Sequence, residues 1–220
     1  RRGMLLRFPH TKNPYEMDLF SDIPVLYDIA EEYEQKAKIL NAASIGALNR
    51  INGSGKIQDF VMIAEALQNK KLSAIADRIA EKSDTTKVIL IAGPSSSGKT
   101  TSAKKLSIHL RALGFKPIAL ELDNYFVDRN RTPLDKDGKP DFECLEALDI
   151  EFLNQQLLDL FSGKEVELPV FDFKSGSRKA SGITISLKNN ELLILEGIHG
   201  LNDKLTPQIP AENKLKIYVS

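Results

Sequence analysis

Residues Gly93-Pro94-Ser95-Ser96-Ser97-Gly98-Lys99-Thr100 follow the spacing G-x-x-x-x-G-K-[ST] and predict a loop that holds a chain of phosphates. Glycine at both ends lets the backbone bend so that successive N–H groups point inward, and a helix starting behind them adds its positive end. Gly93, Ser95, Ser96, Ser97, Gly98, Lys99, Thr100 and Thr101 are the expected contacts to ATP. Lys99 is expected on the terminal phosphates and the Thr100 hydroxyl on Mg²⁺. A serine-rich turn at a helix start would not need the lysine. A second string, Gly53-Ser54-Gly55-Lys56, has Ile57 where the hydroxyl belongs and no buried strand before it, so it reads as a turn.

Phosphoryl transfer to an alcohol also needs a carboxylate that meets the acceptor hydroxyl. Asp123, in "LELDNYF", falls just past an apolar run, where open α/β sheets bind ligands. It is the expected catalytic group together with Lys99, and its alternative is a helix or turn cap. Glu121 competes but lies inside the run. Glu196 closes "LLILEG" as an acidic residue at a strand end, placed to hold Mg²⁺ with Thr100, and Gly197 after it allows close approach. The plainer reading of the nearby His199 is a satisfied loop histidine, with a site-facing role as its alternative. Asp123, Tyr125, Phe171 and Arg178 are the candidates for substrate contact, although Asp172 and Arg178 read equally well as structural ion-pair partners. A GTPase is set aside: "NKLK" (213–216) lacks the aspartate that reads guanine, and "DKDG" (135–138) sits in a polar loop.

The elements that position these residues follow from periodicity. "KVILIAG" is a β-branched run of the kind buried on both faces of a parallel sheet. Ala103, Leu106, Leu110 and Leu113 form a helical stripe that Gly114 ends. Further strands are expected at 116–122, 191–197 and 214–220, and a helix at 149–161. Alternating strands and helices predict an α/β fold with a P-loop-type parallel sheet flanked by helices. Before residue 86 the pattern is helical, with Asp22 as a cap, Pro24 in the first turn, and Leu26, Ile29, Tyr33, Ala37 and Leu40 at helical spacing. One or two more helices follow the turn at 51–55. The expected division is a mainly helical segment over 1–85 and a P-loop kinase domain over 86–220, truncated on its C-terminal side because the sequence stops on a strand. The polar segment 127–143 is long enough to suggest a functional loop.

The totals narrow the class. Lys plus Arg and Asp plus Glu both number 30, so net charge gives no reason to expect nucleic acid or membrane as partner. The lone Cys144 rules out an internal disulfide, suggests a reducing, cytoplasmic setting, and reads as packing. No apolar run approaches the roughly 18 residues of a membrane helix. A homo-oligomer remains open.

The order of the phosphate loop, "LDNYF", "ECLEALD", "LPVFDFKSGSR" and "LLILEGIHGLN" resembles the uridine kinase and phosphoribulokinase family over residues 86–220. Within it the chain looks most like bacterial uridine kinase-like proteins fused to a threonyl-tRNA synthetase-like N-terminal region, with "GMLLRFP" and the helical stretch resembling the link. The resemblance implies ATP- and Mg²⁺-dependent phosphorylation of a nucleoside hydroxyl, with Asp123 at the catalytic aspartate and Glu196 at the acidic strand end. It also shows departures. Phe171 stands where uridine kinases carry a tyrosine, Gly176 where they carry a base-reading histidine, and Glu143 and Glu146 replace two aspartates. The alternatives are a kinase of another small alcohol, or an ATP-binding regulatory module attached to a synthetase-like region.

Overall fold

The computed structural model describes residues 8–9, 11, 13–17 and 24–219. Contacts divide the chain into two units, Arg1–Ala66 and Leu67–Ser220. The first contains α1 (Pro24–Ile39), α2 (Ile45–Gly53) and the opening turns of α3 (Ile57–Glu81). Pro24 is the first helical residue of α1, a position where its missing N–H costs nothing. The expected cap Asp22 lies outside the described residues, as does the side chain of Leu26. Ion pairs Lys36–Glu32 and Lys38–Glu34 link successive turns of α1. The Ser44 hydroxyl caps α2 by accepting from the Ala47 N–H at 3.2 Å. After the turn at 54–56, α3 is one continuous helix of 25 residues, which settles the count that periodicity left open.

The second unit is built on four parallel strands in the order β2-β5-β1-β6. These are β1 (Val88–Ala92), β2 (Lys116–Glu121), β5 (Glu191–Glu196) and β6 (Lys214–Tyr218), matching the strands expected from the sequence. Every residue of β1 is buried, as its β-branched run predicts. Successive side chains alternate between two cores. Val88, Leu90, Leu193 and Leu195 pack on one face with Leu153, Leu157 and Leu160 of α5 (Ile150–Phe161). Ile89, Ile91, Leu192 and Ile194 pack on the other with Ala103, Leu106 and Leu110 of α4 (Lys99–Ala112) and with Leu72, Ala76 and Ile79 of α3. The last turns of α3 thus belong to the sheet's own core. Leu106→Ala, which empties a fully buried site, is expected to cost about 2–5 kcal/mol in urea unfolding.

A two-stranded antiparallel sheet, β3 (Val166–Asp172) with β4 (Ser177–Ile185), is not among the elements expected from the sequence. The pairing is irregular between Glu167 and Pro169, so neither strand keeps the clean alternation that marks a strand in sequence. Cys144 packs against the α5-side core, as expected.

Candidate active site

Register brings the carboxyl ends of three adjacent strands level: Glu196 at the end of β5 pairs with Ile91 of β1 on one side and Glu121 of β2 on the other. The phosphate loop follows β1, a 3₁₀ turn (Leu122–Tyr125) carrying Asp123 follows β2, and Gly197 to Gly200 follow β5. Side chains far apart in sequence therefore open onto one crevice, where ligands of parallel sheets bind.

The loop has the geometry its glycines predict. A Cβ at Gly93 would run into the Val219 carbonyl and lie 2.6 Å from Ser97 Oγ. Gly93→Ala should therefore displace backbone, with a loss of both fold stability (thermal unfolding) and nucleotide affinity. Ser96 (φ 60°) and Gly98 (φ 84°) turn the chain into α4. The first helical bond of α4 runs from the Ser102 N–H to the Gly98 carbonyl at 2.8 Å. The amides of Lys99, Thr100 and Thr101 thus precede the ladder, at the positive end of the helix. Lys99 Nζ donates to the Pro94 carbonyl at 2.8 Å, arching back over the loop.

Thr100 Oγ1 donates to Glu196 Oε1 at 2.7 Å, joining two candidates 96 residues apart. Glu196 Oε2 is buried with no hydrogen-bond partner. A carboxylate oxygen withdrawn from water and left unpaired beside a hydroxyl fits a Mg²⁺ ion, which supplies the missing charge. Among the described residues no group of three or more His, Cys, Asp or Glu side chains forms a metal cage. Mg²⁺ held partly by substrate phosphates does not need one.

Asp123 is exposed at the crevice, yet the protein packed around its carboxyl raises its pKa by desolvation. Lys99 opposes that rise, Glu196 adds to it, and His199 opposes it, so all four groups share one electrostatic neighbourhood. His199 is not the satisfied loop residue that its position suggested: its Nε2 is buried without a partner.

The other substrate candidates sit deeper. Tyr125 is 2% exposed, and its hydroxyl donates to Gln156 Oε1 at 2.9 Å, while Gln156 Nε2 donates to the Glu167 carbonyl at 2.7 Å. Burial keeps the phenol protonated well above its ordinary range. Tyr125 also borders a cavity of about 170 Å³ that Glu121, Asn124, Leu168 and Pro169 line with it. Phe171 is buried, edge-to-face with Phe126, Phe142 and Phe173 at centroid distances of 5.6, 6.5 and 5.1 Å. Arg178 pairs with Asp149, the N-cap of α5, at 2.8 Å and lies 4.3 Å over the Phe152 ring. Asn124, absent from the sequence reading, accepts from the Phe171 N–H at 3.1 Å and so ties β3 to the turn carrying Asp123. Arg178→Ala is expected to destabilise by roughly 0.5–3 kcal/mol in urea unfolding, through loss of the ion pair and the ring contact.

Residues 88–220 match the Phosphoribulokinase / Uridine kinase family. The chain belongs to the phosphoribulokinase/uridine kinase family. It is 35% identical over 134 residues to the uridine kinases of Staphylococcus aureus strains JH9 and Newman, a match covering 61% of this chain and 61% of theirs. The matched region therefore spans less than two thirds of those relatives. Among solved structures, a possible uridine kinase from Bacillus stearothermophilus is 23% identical, with a TM-score of 0.48 over 64% of this chain and 80% of that one.

In this member of the phosphoribulokinase/uridine kinase family, the two positions where the resemblance led one to expect base contacts, 171 and 176, carry no side-chain hydrogen-bonding group. The ring at 171 is a phenylalanine that faces other aromatic rings and offers no hydrogen bond. At Gly176 a Cβ would meet the Arg129 side chain at 2.8–2.9 Å. The Arg129 N–H donates to the Gly176 carbonyl at 2.8 Å, and Arg129 Nη2 donates to the Phe173 carbonyl at 2.6 Å. The arginine thus clasps the β3–β4 turn from the 127–143 segment. Glu143 and Glu146 are exposed.

Proposed function

We propose that the chain forms the ATP-binding and transfer core of a kinase that phosphorylates a hydroxyl of a small acceptor, a nucleoside in the first instance. The observation that carries this reading is the convergence at three neighbouring strand ends of the phosphate loop, the Thr100–Glu196 pair and Asp123. The loop amides and Lys99 hold the β- and γ-phosphates, and Lys99 neutralises charge as the bond to the leaving ADP oxygen lengthens. Thr100 and Glu196 would hold Mg²⁺, which when bound would supply further charge neutralisation. Asp123 accepts a hydrogen bond from the acceptor hydroxyl and takes its proton as the acceptor oxygen–phosphorus bond forms and the phosphorus–ADP oxygen bond breaks. The products are a phosphomonoester and ADP. Asp123 is also what favours transfer over a nucleotide-sensing module, which would have no use for an acceptor-facing carboxylate.

A second reading, another small alcohol as acceptor, is motivated by the buried Phe171 and by Gly176. Neither residue offers a side-chain hydrogen bond to a polar base, and losing such partners shifts specificity by orders of magnitude. A synthetase-like region upstream is part of the same proposal and rests on the sequence resemblance alone. An acceptor panel scored by coupled ADP release decides between the readings. Pyrimidine nucleosides should stimulate ADP release if the first holds, and sugar phosphates or other alcohols if the second does. No stimulation by any acceptor contradicts both.

A further inference from the structure

We propose that His199 is a further catalytic residue of this site, its Nε2–H donating to an oxygen of the phosphoryl group as that group passes between ADP and the acceptor; the proposal rests on the kinase reading above. The segment carrying His199 is fixed on both sides. The Gly197 N–H donates to the Ile91 carbonyl at 3.1 Å, and the Asn202 N–H donates to the His199 carbonyl at 2.8 Å. Lys216 Nζ donates to the Leu201 carbonyl at 2.9 Å. A Cβ at Gly197 would lie 2.7 Å from Leu122 Cδ1, and one at Gly200 would lie 3.2 Å from Ala92 Cβ. The stretch from 197 to 200 is therefore wedged between the residue before the phosphate loop and the residue before Asp123. On the kinase reading, those two neighbours lead into the loop that would hold the donor phosphates and the turn that carries Asp123.

Within that wedge Ile198 is exposed and His199 half-buried. The His199 Nε2 is cut off from solvent with no hydrogen-bond partner, a costly arrangement that calls for a cause. Five side-chain polar atoms are in that condition among the described residues, and three of them belong to Ser97, Glu196 and His199. Ser97 belongs to the phosphate loop and Glu196 is bonded to Thr100 at its end, so the unpaired atoms border the place where the kinase reading puts phosphate and Mg²⁺. Asp123 also feels the charge of His199, which puts the imidazole in the same electrostatic neighbourhood as the candidate acceptor-facing carboxylate. A fixed donor at that place binds the transferring group more strongly as charge redistributes over its oxygens, without itself gaining or losing a proton.

The test uses the full chain and needs no knowledge of the acceptor. Calorimetry measures MgADP affinity with and without aluminium fluoride, which mimics the phosphoryl group in flight. His199→Ala should bind MgADP as wild type does but lose about tenfold or more of the affinity added by aluminium fluoride. His199→Gln, whose amide reaches near the Nε2 position, should keep most of that gain, and the shorter His199→Asn should not. With an acceptor present, His199→Ala should lower kcat by about 10²-fold with KM for ATP little changed. Wild-type binding of the mimic by His199→Ala overturns the proposal. If His199→Ala unfolds early, equal behaviour of His199→Gln and His199→Asn overturns it instead. Wild-type chain that binds no MgADP overturns the kinase reading beneath it, whereas wild type that binds MgADP but gains nothing from aluminium fluoride overturns the histidine's role alone.

Discussion

Asp123→Asn is expected to lower kcat by about 10²–10⁴-fold while MgATP affinity stays close to wild type. The substitution keeps the shape of the side chain and removes the group that takes the acceptor's proton. Its surroundings also set a pH signature. Desolvation raises the Asp123 pKa, with Glu196 adding to the rise against Lys99 and His199. The ionised form is the base, so activity should fall as pH falls through that raised value, above the ordinary aspartate range. This acid limb should vanish from whatever activity Asp123→Asn retains. The sign for stability is opposite: a carboxyl whose pKa is higher folded than unfolded takes up a proton more readily when folded, so acidification through that window favours the fold at this residue. A pH–rate profile of both proteins, with thermal unfolding beside it, checks both signs. Equal turnover by mutant and wild type would remove Asp123 from the chemistry.

Lys99→Ala should be similarly severe but distributed differently. Lys99 lies at the start of α4 with its ammonium folded onto the Pro94 carbonyl, poised over the loop that receives the phosphates. Its charge acts on bound ATP and more strongly on the transition state, so both affinity and rate should suffer, the rate by about 10²–10³-fold. Titration with a fluorescent ATP analogue and steady-state kinetics separate the two effects. Unchanged affinity and rate would contradict the assignment of the phosphate loop. The fold should be largely kept, because Lys99 belongs to neither core cluster and loses only its bond to the Pro94 carbonyl.

The site was legible in sequence wherever chemistry and backbone geometry demand the same residues. The phosphate loop needs glycine, lysine and threonine at fixed offsets, and a buried parallel strand such as 88–92 has no polar alternation to confuse it with a surface strand. Glu196 and Asp123 were legible because each follows such a run, although only the register of β1, β2 and β5 brings them to one crevice. The β3–β4 hairpin was not, since its irregular pairing and mixed exposure hide the period of two. Tyr125 and Phe171 look in sequence like ligand contacts near a catalytic aspartate. Both are packed, Tyr125 with its hydroxyl on Gln156 of α5 and Phe171 against Phe126, Phe142 and Phe173, a burial that only three-dimensional neighbours dictate. The unpartnered state of the His199 Nε2 was not legible for a related reason. Glycines on both sides of it signal a tightly packed turn, but whether its imidazole finds a partner depends on what lies across the crevice.

The most direct test follows ATP and the acceptor by ³¹P NMR with wild-type and Asp123→Asn protein side by side. Wild type should convert the γ-phosphate resonance of ATP into a new phosphomonoester resonance in equal amount, and Asp123→Asn should leave ATP bound and almost unconverted. Release of the γ-phosphate only as inorganic phosphate, or the same phosphomonoester yield from both proteins, would contradict an acceptor-facing role for Asp123 in a phosphoryl-transfer site.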